Sequence, residues 1–312
     1  MPGNGAPAVT VAVPVKDRRE RMLRCLDALL QQDHPSFEVL VLDNGSSDGT
    51  PDACAERAAT SDVPVRVEVL SGTVGAIRNR AAELARGEVL AFTDSDCVPE
   101  PGWLTGLAGA LNGRPDVGVA CGATLAEEPF NDGWPATMEV TEWTGRYESC
   151  NIAFRRGPFA ESAGFDEEVG HFWEDTAAGY AMRRGGWRAV FVPDAVVRHD
   201  VTYPGFWWHV RRQLKQANMG PVLARYPEIA GDHLWAGVFL SPREAKLVAA
   251  LAGALLARRR PLALTLVLPY VQERLPPRVW GRPKAMAHAL IYDGASVVGG
   301  FRAGLRARRL VL

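Results

Sequence analysis

Two aspartates, two positions apart, end an apolar run in the first third of the sequence. Asp94 and Asp96 directly follow the run 89–92, and Pro99 comes soon after them. Side chains at positions i and i+2 of an extended chain point to the same side, so the two negative charges are expected to face each other. A divalent cation between or beside them would offset their repulsion. The spacing therefore predicts a metal-binding site at this point of the chain.

Polar residues also end two earlier predicted strands. The ranges 14–17 and 43–48 follow apolar runs at 8–13 and 37–42. In open α/β sheets, ligands bind beyond the carboxyl ends of the strands. The polar range 43–48 alone is equally typical of a tight turn. Three polar strand ends in succession nevertheless indicate a single binding site.

The elements that must position these residues alternate along the chain. From residue 8 to about 120, runs typical of buried strands are separated by segments with helical periodicity. This alternation predicts an α/β fold with a mostly parallel sheet and helices on both faces. After residue 125 the regularity fades, and from about residue 204 the sequence is mainly helical and basic.

Charge is distributed unevenly along the chain. The formal net charge is −1, but residues 1–200 hold 18 Lys and Arg against 31 Asp and Glu, whereas residues 201–312 hold 17 against 5. The two parts are therefore expected to meet different partners. We expect no nucleic-acid partner.

The cysteines and the apolar runs indicate where in the cell the protein is expected to be. The five cysteines show no CxxC spacing, and the first residues lack the apolar core of a signal peptide, which is typical of reduced thiols in a cytoplasm. Apolar stretches at 247–257 and 261–271 are separated by Arg258–Arg260, and neither reaches the roughly 20 residues of a spanning helix. We expect a cytoplasmic protein, either free or peripheral at the inner face of the membrane.

Four segments, in order, resemble the family-2 glycosyltransferases. They are VAVPVKDRRERMLRCLDALLQQDHPSFEVLVLDNGSSDGT (11–50), GAIRN (75–79) with FTDSD (92–96), ESCNIAFRR (148–156) and HFWEDTAAGYAMRRGGWRAVFVP (171–193). The resemblance covers roughly residues 8–215. It implies the GT-A fold, a nucleotide-sugar donor and a divalent metal, Mn²⁺ or Mg²⁺, bound by an Asp-X-Asp motif.

The resemblance also implies a donor site. Pro14 and its neighbours would line the nucleotide base, and Asp43 would accept from the imide N–H of a uracil. Arg78 would lie beside the base or the phosphates, and Asp94 would face the ribose and the sugar. The full set expected at the donor is Pro14, Val15, Asp43, Gly75, Arg78, Asn79, Asp94, Ser95, Asn151, Arg211 and Arg212. For Arg211 and Arg212, a solvated basic face is the alternative to a clamp on the diphosphate.

Three further residues carry the metal and the chemistry in the resemblance. Asp96 would bind the metal, and His199 would complete its shell, although a lone His after a strand is as typical of a surface or core residue. Asp175 would be the general base, with its neighbour Glu174 as the rival. A carboxylate at a helix start can also serve the helix dipole alone.

These observations predict a catalytic domain at 1–215, with a nucleotide-sugar half (1–125) and an acceptor half (126–215). Residues 216–312 are predicted to form a helical, basic C-terminal extension that contacts a membrane surface or another copy of the chain. The expected reaction is metal-dependent, inverting transfer of one sugar from a UDP-sugar to a hydroxyl acceptor, such as a glycan, a lipid-linked saccharide or a small natural product.

Two alternative functions remain open from the sequence. A nucleotidyltransferase would also use metal-binding carboxylates, but it usually has a glycine-rich loop after its first strand, and PVKDRRE (14–20) contains no glycine. A non-catalytic nucleotide-sugar-binding module would not need the pair Glu174 and Asp175.

Overall fold

The computed structural model of the protein describes residues 6–130, 133–274 and 283–312. The chain divides into two compact units, Met1–Tyr203 and Pro204–Leu312. The division falls earlier than the predicted boundary at residue 215, because the helix that carries Arg211 and Arg212 packs with the second unit. Within the first unit, a strand at Val117–Ala126 runs across the predicted border between the two halves.

The first unit is built on an eight-stranded sheet with the order β3-β2-β1-β4-β7-β6-β8-β5. Its strands are β1 Val9–Val15, β2 Phe37–Asp43, β3 Val65–Val69, β4 Val89–Thr93, β5 Cys97–Pro99, β6 Val117–Ala126, β7 Asn151–Arg155 and β8 Arg188–His199. Strands β1 to β4 pair in parallel. Strand β7 runs antiparallel to β4 and β6, and β5 runs antiparallel to β8. The predicted α/β fold is confirmed, with a sheet that is parallel in its first half and mixed beyond.

Helices flank this sheet and build the second unit. In the first unit they are α1 Arg19–Leu30, α2 Thr50–Ala58, α3 Val74–Leu84, α4 Trp103–Asn112, α5 Arg156–Glu161 and α6 Glu174–Arg184. In the second unit they are α7 Phe206–Leu214, α8 Met219–Arg225, α9 Ile229–His233, α10 Pro242–Leu256, α11 Leu268–Arg274 and α12 Pro283–Ala307, with 3₁₀ turns at Lys215–Asn218 and Pro261–Val267.

The core of the first unit explains why its strand ends meet. Strands β1 and β2 are buried along almost their whole length, which is typical of parallel strands covered on both faces. Helix α1 covers one face with Met22, Leu26 and Leu29. The register pairs Val15 with Asp43, so β1 and β2 end at the same edge of the sheet. The polar residues that follow them are therefore neighbours, as the sequence predicts.

The second unit is held together by a buried cluster of charges. Asp293 on α12 is fully buried and accepts hydrogen bonds from Tyr270 Oη at 2.9 Å and from Arg274 at 2.9 and 3.0 Å. The Arg243 guanidinium lies 3.1 Å away on α10. One carboxylate thus joins three helices. Within the described residues, no helix is long and apolar enough to cross a membrane.

Replacing Asp293 with Ala should destabilise the helical unit by about 3–5 kcal/mol, because it leaves buried cations without their counter-charge. Urea unfolding followed by circular dichroism measures the effect. The matched control is Asp116→Ala, which removes an exposed pair with Arg188 and should leave the transition unchanged. Equal midpoints for both variants would contradict a stabilising role for the cluster.

Candidate active site

The end of β2 presents a buried acceptor without a partner. Asp43 is fully buried, and its Oδ2 accepts from the Ser46 backbone N–H at 2.9 Å. Its Oδ1 is also buried, and no donor among the described residues reaches it. An unsatisfied buried acceptor costs about 1–3 kcal/mol. Asp43 is therefore suited to receive a hydrogen bond from a bound molecule.

The loops after β1 and β2 are locked to each other around this acceptor. Asp17 Oδ1 accepts from the Ser47 N–H at 2.8 Å, and the Asp17 N–H donates to Ser46 Oγ at 2.8 Å. Pro14 is partly exposed at this rim. Val15, in contrast, packs in the core, and its carbonyl accepts from the Asn44 N–H at 2.8 Å. The predicted contact of Val15 with a base stays a prediction, and the burial of its side chain gives it no support.

Asp94 and Asp96 lie on either side of a turn rather than on one extended strand. Strand β4 ends at Thr93, and the Cys97 N–H donates to the Asp94 carbonyl at 3.0 Å. The two carboxylates therefore meet different partners, and the expected alternation along a strand does not apply. Ser95 between them is buried, so the structure gives no support to its predicted contact with a donor.

Arg78 on α3 connects the donor-side aspartate to the start of α6. This guanidinium is buried, and it donates to Asp94 Oδ1 at 2.9 Å and to Glu174 Oε1 at 3.0 Å. Its central carbon lies 5.5 Å from the centroid of the Phe165 ring. Burial is the largest single effect on Asp94 and would raise its pKa, but the charge and hydrogen bond of Arg78, together with the charges of His199 and His171, outweigh it and lower that pKa. Asp94 is therefore ionised at neutral pH.

Asn79 and Gly75, which were both predicted to touch the donor, hold the loop 164–167 in place. The Asn79 amide donates to the Phe165 carbonyl at 2.9 Å and to Glu167 Oε1 at 2.8 Å, and its oxygen accepts from the Phe165 N–H at 2.8 Å. A Cβ on Gly75 would lie 2.9 Å from the Asp166 carbonyl oxygen. Both residues hold the loop 164–167 against α3, and the hydrogen-bonding groups of Asn79 are already used there.

Asn151 also has a task other than the predicted one. Its side chain is enclosed, with the oxygen accepting from Trp103 Nε1 at 2.8 Å and the amide donating to the carbonyls of Ala123 and Ala195 at 2.7 and 2.9 Å. Both amide hydrogens are therefore bonded within the protein. The predicted contact of Asn151 with a sugar stays a prediction without support from these bonds, which cross-link β6, β8 and α4.

Asp96 and His199 form the part of the site that fits a metal. Asp96 Oδ1 lies 3.9 Å from His199 Nε2, and the pairing of Cys97 with His199 across β5 and β8 holds them there. His199 Nδ1 lies 2.9 Å from the Asp200 carbonyl, which places the ring proton on Nδ1 and leaves Nε2 as a ligand. The carboxylate suits Mn²⁺ or Mg²⁺, and the imidazole nitrogen favours Mn²⁺ of the two because Mg²⁺ takes oxygen ligands. These two residues would hold the ion.

Two further groups border this pair. The Cys97 thiol shares the cluster, whose ligand atoms lie within 4.8 Å of one another; a hydrogen bond with Cys150 and burial raise the pKa of that thiol. The Arg18 guanidinium pairs with the second oxygen of Asp96. Sequence reasoning missed Arg18, although its place in a basic run directly after β1 was a usable signal.

The start of α6 is strained and carries two carboxylates with different environments. Phe172 and Trp173 have φ angles of 87° and 76°, a conformation that costs residues other than glycine free energy and is often found at functional sites. Glu174 is buried and paired with Arg78. Asp175 is partly exposed, so it is the carboxylate that an incoming molecule can reach.

Asp175 is held by backbone donors, and its proton affinity is raised. Its Oδ1 accepts from the Thr176 N–H at 2.7 Å and its Oδ2 from the Ser149 N–H at 3.3 Å. Burial, followed by the negative charge of Glu174, raises the pKa of Asp175 to about 8. A carboxylate with a pKa near neutrality suits general-base chemistry. Ser149 is a second residue that sequence reasoning missed, since a backbone donor leaves no signal in residue type.

Arg211 and Arg212 belong to the second unit. Both lie on α7, and the Arg212 guanidinium stacks over Trp208 at 5.4 Å. Burial lowers the pKa of Arg212. The predicted contact of this pair with a diphosphate stays a prediction.

Comparison with known proteins decides the family. A model of "Glycosyl transferase family 2" matches residues 10–173, which is more than half of the chain. The chain belongs to glycosyltransferase family 2. This membership favours the predicted transferase over a nucleotidyltransferase and over a binding module.

Two relatives resemble the chain over different lengths. Glycosyltransferase AglE of Haloferax volcanii is 36% identical over 152 residues, covering 48% of this chain and 49% of AglE. The N-acetylglucosaminyl-diphospho-decaprenol L-rhamnosyltransferase of Mycobacterium tuberculosis is 25% identical over 236 residues, covering 62% and 75%. The chain thus spans about half the length of AglE, and less of the next two relatives.

Solved structures share the fold. The mannosyltransferase PcManGT from Pyrobaculum calidifontis, in complex with GDP-Man and Mn²⁺, has a TM-score of 0.66 at 23% identity and covers 95% of this chain and 90% of its own. TarS 1–349 of S. aureus, in complex with UDP-GlcNAc, has a TM-score of 0.52 at 18% identity and covers 96% and 92%. At identities below 25%, these TM-scores show a shared fold alone.

Asp96→Ala and His199→Ala should each weaken Mn²⁺ binding at least about tenfold, because each removes a ligand atom. Electron paramagnetic resonance of free Mn²⁺, titrated with protein in the presence of UDP, measures the affinity. The control is Cys97→Ala, which removes a sulfur that such a hard cation does not favour. Wild-type affinity in the Asp96 variant would refute the assignment.

Proposed function

We propose that the protein transfers one sugar from a nucleoside diphosphate sugar to an acceptor hydroxyl, with a divalent cation and with inversion at the anomeric carbon. The observation that carries this proposal is the network in which Arg78 joins Asp94 to Glu174, beside the accessible Asp175. It brings the donor-side aspartate and a carboxylate suited to act as a base into one rigid arrangement. Family membership supports the reaction class.

The proposed donor carries uracil rather than guanine. Asp43 has one buried oxygen that no donor among the described residues reaches, because Ser46 binds the other. Uracil offers one imide N–H at this edge, whereas guanine offers an N–H and an amino group that pair best with both oxygens of a carboxylate. A single acceptor therefore fits uracil better. Pro14, at the same rim, would lie against the base.

The cation would be held by Asp96 and His199, and as a Lewis acid it would stabilise the charge that develops on the departing diphosphate. Arg18 and Arg78 supply fixed positive charge at the same edge of the sheet. Guanidinium groups suit phosphate oxygens. Arg18 is the more exposed of the two, so it is the one suited to bind a phosphate directly.

Asp175 is the proposed base. It would accept the proton of the acceptor hydroxyl as that oxygen attacks the anomeric carbon, and the sugar–diphosphate bond breaks on the opposite side. The backbone N–H groups of Ser149 and Thr176 orient its two oxygens. Glu174 cannot take this role while Arg78 binds it, so Glu174 is proposed as a positioning residue.

For the acceptor, the proposal names a class of molecule and not a single compound. The name of the rhamnosyltransferase relative specifies a sugar linked to diphospho-decaprenol, so a lipid-linked saccharide is the first acceptor to test, before free glycans and small natural products. An exposed indole at Trp143, 5.1 Å from the Tyr147 ring, offers a face on which a sugar could stack. A cytoplasmic location stays a prediction.

Asp175→Asn should lower the single-turnover transfer rate by roughly 10² or more while donor affinity stays within about twofold, because the shape persists and the proton acceptor is lost. Glu174→Gln is the matched variant, and it should change donor affinity and rate together through Arg78. An inactive Glu174→Gln with a nearly normal Asp175→Asn would show that Glu174 is the base.

The raised pKa of Asp175 predicts the pH dependence. Only the ionised carboxylate accepts a proton, so kcat/KM should rise with pH and level off above about 8, and this rising limb should be absent in Asp175→Asn. A flat rate profile in the wild type would contradict the role.

The free energy of unfolding should change with pH in the opposite direction to kcat/KM. The folded protein keeps a proton that the unfolded chain releases, so stability falls as pH rises from the ordinary aspartate pKa to about 8.

UDP should bind at least about fivefold more tightly than GDP, since guanine would leave a polar group unpaired beside Asp43. Calorimetry with each nucleotide and Mn²⁺ measures the ratio. In Asp43→Leu the preference should disappear. Equal affinities in the wild type, or tighter binding of GDP, would overturn the choice of uracil.

A further inference from the structure

Residues 247–268 form a helical hairpin whose outer surface is apolar. The hairpin comprises the second half of α10, the turn Arg258–Arg260 and the 3₁₀ turn Pro261–Val267. Its sequence is LVAALAGALLARRRPLALTLVL, in which the three arginines and one threonine are the sole polar residues. We call this segment the leucine–arginine hairpin.

The two arms of the leucine–arginine hairpin pack closely on each other. Helix α10 buries a narrow stripe of residues that includes Leu247, Ala250 and Gly253. A Cβ on Gly253 would lie 2.5 Å from the Ala263 carbonyl oxygen and 2.9 Å from Leu266 Cβ, so the glycine permits this approach. The hairpin is therefore a built element of the second unit, held at its base by Leu247 and Ala250 against Tyr270.

The outer surface of the leucine–arginine hairpin leaves large apolar side chains in solvent. None of the residues of the 3₁₀ turn is buried. Leu255 and Leu262 are 80% and 84% exposed on either side of the arginine turn. The other exposed leucines are Leu251, Leu256, Leu264, Leu266 and Leu268. Contiguous apolar surface of this kind marks a site of contact with a protein or a membrane.

The charges of the leucine–arginine hairpin favour a membrane over a protein as its partner. Arg258, Arg259 and Arg260 are exposed, and the sequence from 245 to 272 contains no Asp or Glu. At the base of the hairpin, Glu273 pairs with Lys246. It therefore does not offset the positive charge of the three arginines at the tip. Two copies of the hairpin packed together would oppose six arginines without a compensating carboxylate. An anionic lipid surface supplies both the negative charge and an apolar phase.

We propose that the leucine–arginine hairpin inserts into the interface of an anionic lipid bilayer. Its leucines enter the boundary between headgroups and acyl chains, and its arginines extend along the apolar surface to bind lipid phosphates. The hairpin lies in the surface and does not cross it. This binding goes beyond the proposed sugar transfer and does not depend on it.

Co-sedimentation of the full chain with vesicles tests the proposal without any activity measurement. One set of vesicles is phosphatidylcholine alone, and the other contains one part phosphatidylglycerol to two parts phosphatidylcholine. We expect the chain to bind the second set and not the first, and to dissociate at high salt. Replacing Arg258, Arg259 and Arg260 with Gln should weaken binding by roughly a hundredfold. Replacing Leu255 and Leu262 with Ser should weaken it by at least about tenfold.

Matched variants control for charge, hydrophobicity and folding. The charge control replaces Arg80, Arg114 and Arg188 with Gln, three exposed arginines of the first unit. The hydrophobic control replaces Leu305 and Leu310 with Ser, which are exposed outside the hairpin. Both should bind anionic vesicles within about threefold of the wild type, with unchanged circular dichroism in every variant.

Three outcomes would overturn the proposal. The first is absent binding, or equal binding to both sets of vesicles. The second is weakening by the control variants as strong as that by the hairpin variants. The third is a wild-type chain that self-associates in light scattering and becomes monomeric in the Leu255 and Leu262 variant, which would assign the hairpin to contact between copies.

Discussion

The geometry of the candidate active site depends on the burial of one cation, Arg78. A buried charge without partners costs several kcal/mol, so a buried guanidinium must be met by carboxylates in fixed positions. Asp94 and Glu174 meet it at 2.9 and 3.0 Å. They come from the end of β4 and the start of α6, while Arg78 lies on α3. A single ion network thus joins three elements that are distant in sequence.

The same network accounts for the behaviour of the proposed base. Glu174 is held against Arg78 at the start of α6, and the two residues before it, Phe172 and Trp173, have left-handed backbone conformations. The cost is about 1–3 kcal/mol for each such residue. Asp175, next along the helix, then lies beside a second negative charge, and that charge adds to burial in raising its pKa. Arg78, the partner of Glu174, lowers the pKa of Asp175, but by less than Glu174 raises it.

The sequence predicts the parts of the site that residue type determines. Buried runs followed by polar residues locate the strand ends, and the motifs single out Asp43, Asp96 and Asp175 as candidates. It fails where a partner far along the chain decides the role. Asn151 and Asn79 are amides that any polar ligand could use, but folding saturates both with groups of the protein. No pattern in a single sequence shows that saturation, because it depends on contacts made only in three dimensions.

The opposite net charges of the two units are consistent with the two proposed partners, a nucleotide-sugar donor for the first unit and anionic lipid for the second. A first unit rich in Asp and Glu repels both a diphosphate and an anionic surface, so in the proposed reaction its affinity for the donor would come from local cations: Arg18, Arg78 and the ion that Asp96 and His199 would hold. Attraction to anionic lipid must then come from the second unit, where Arg and Lys exceed Asp and Glu by 17 to 5. The leucine–arginine hairpin concentrates this positive charge next to apolar surface. In these proposals, local cations in one unit and a basic apolar tip in the other would let a chain of net charge −1 bind two kinds of anion.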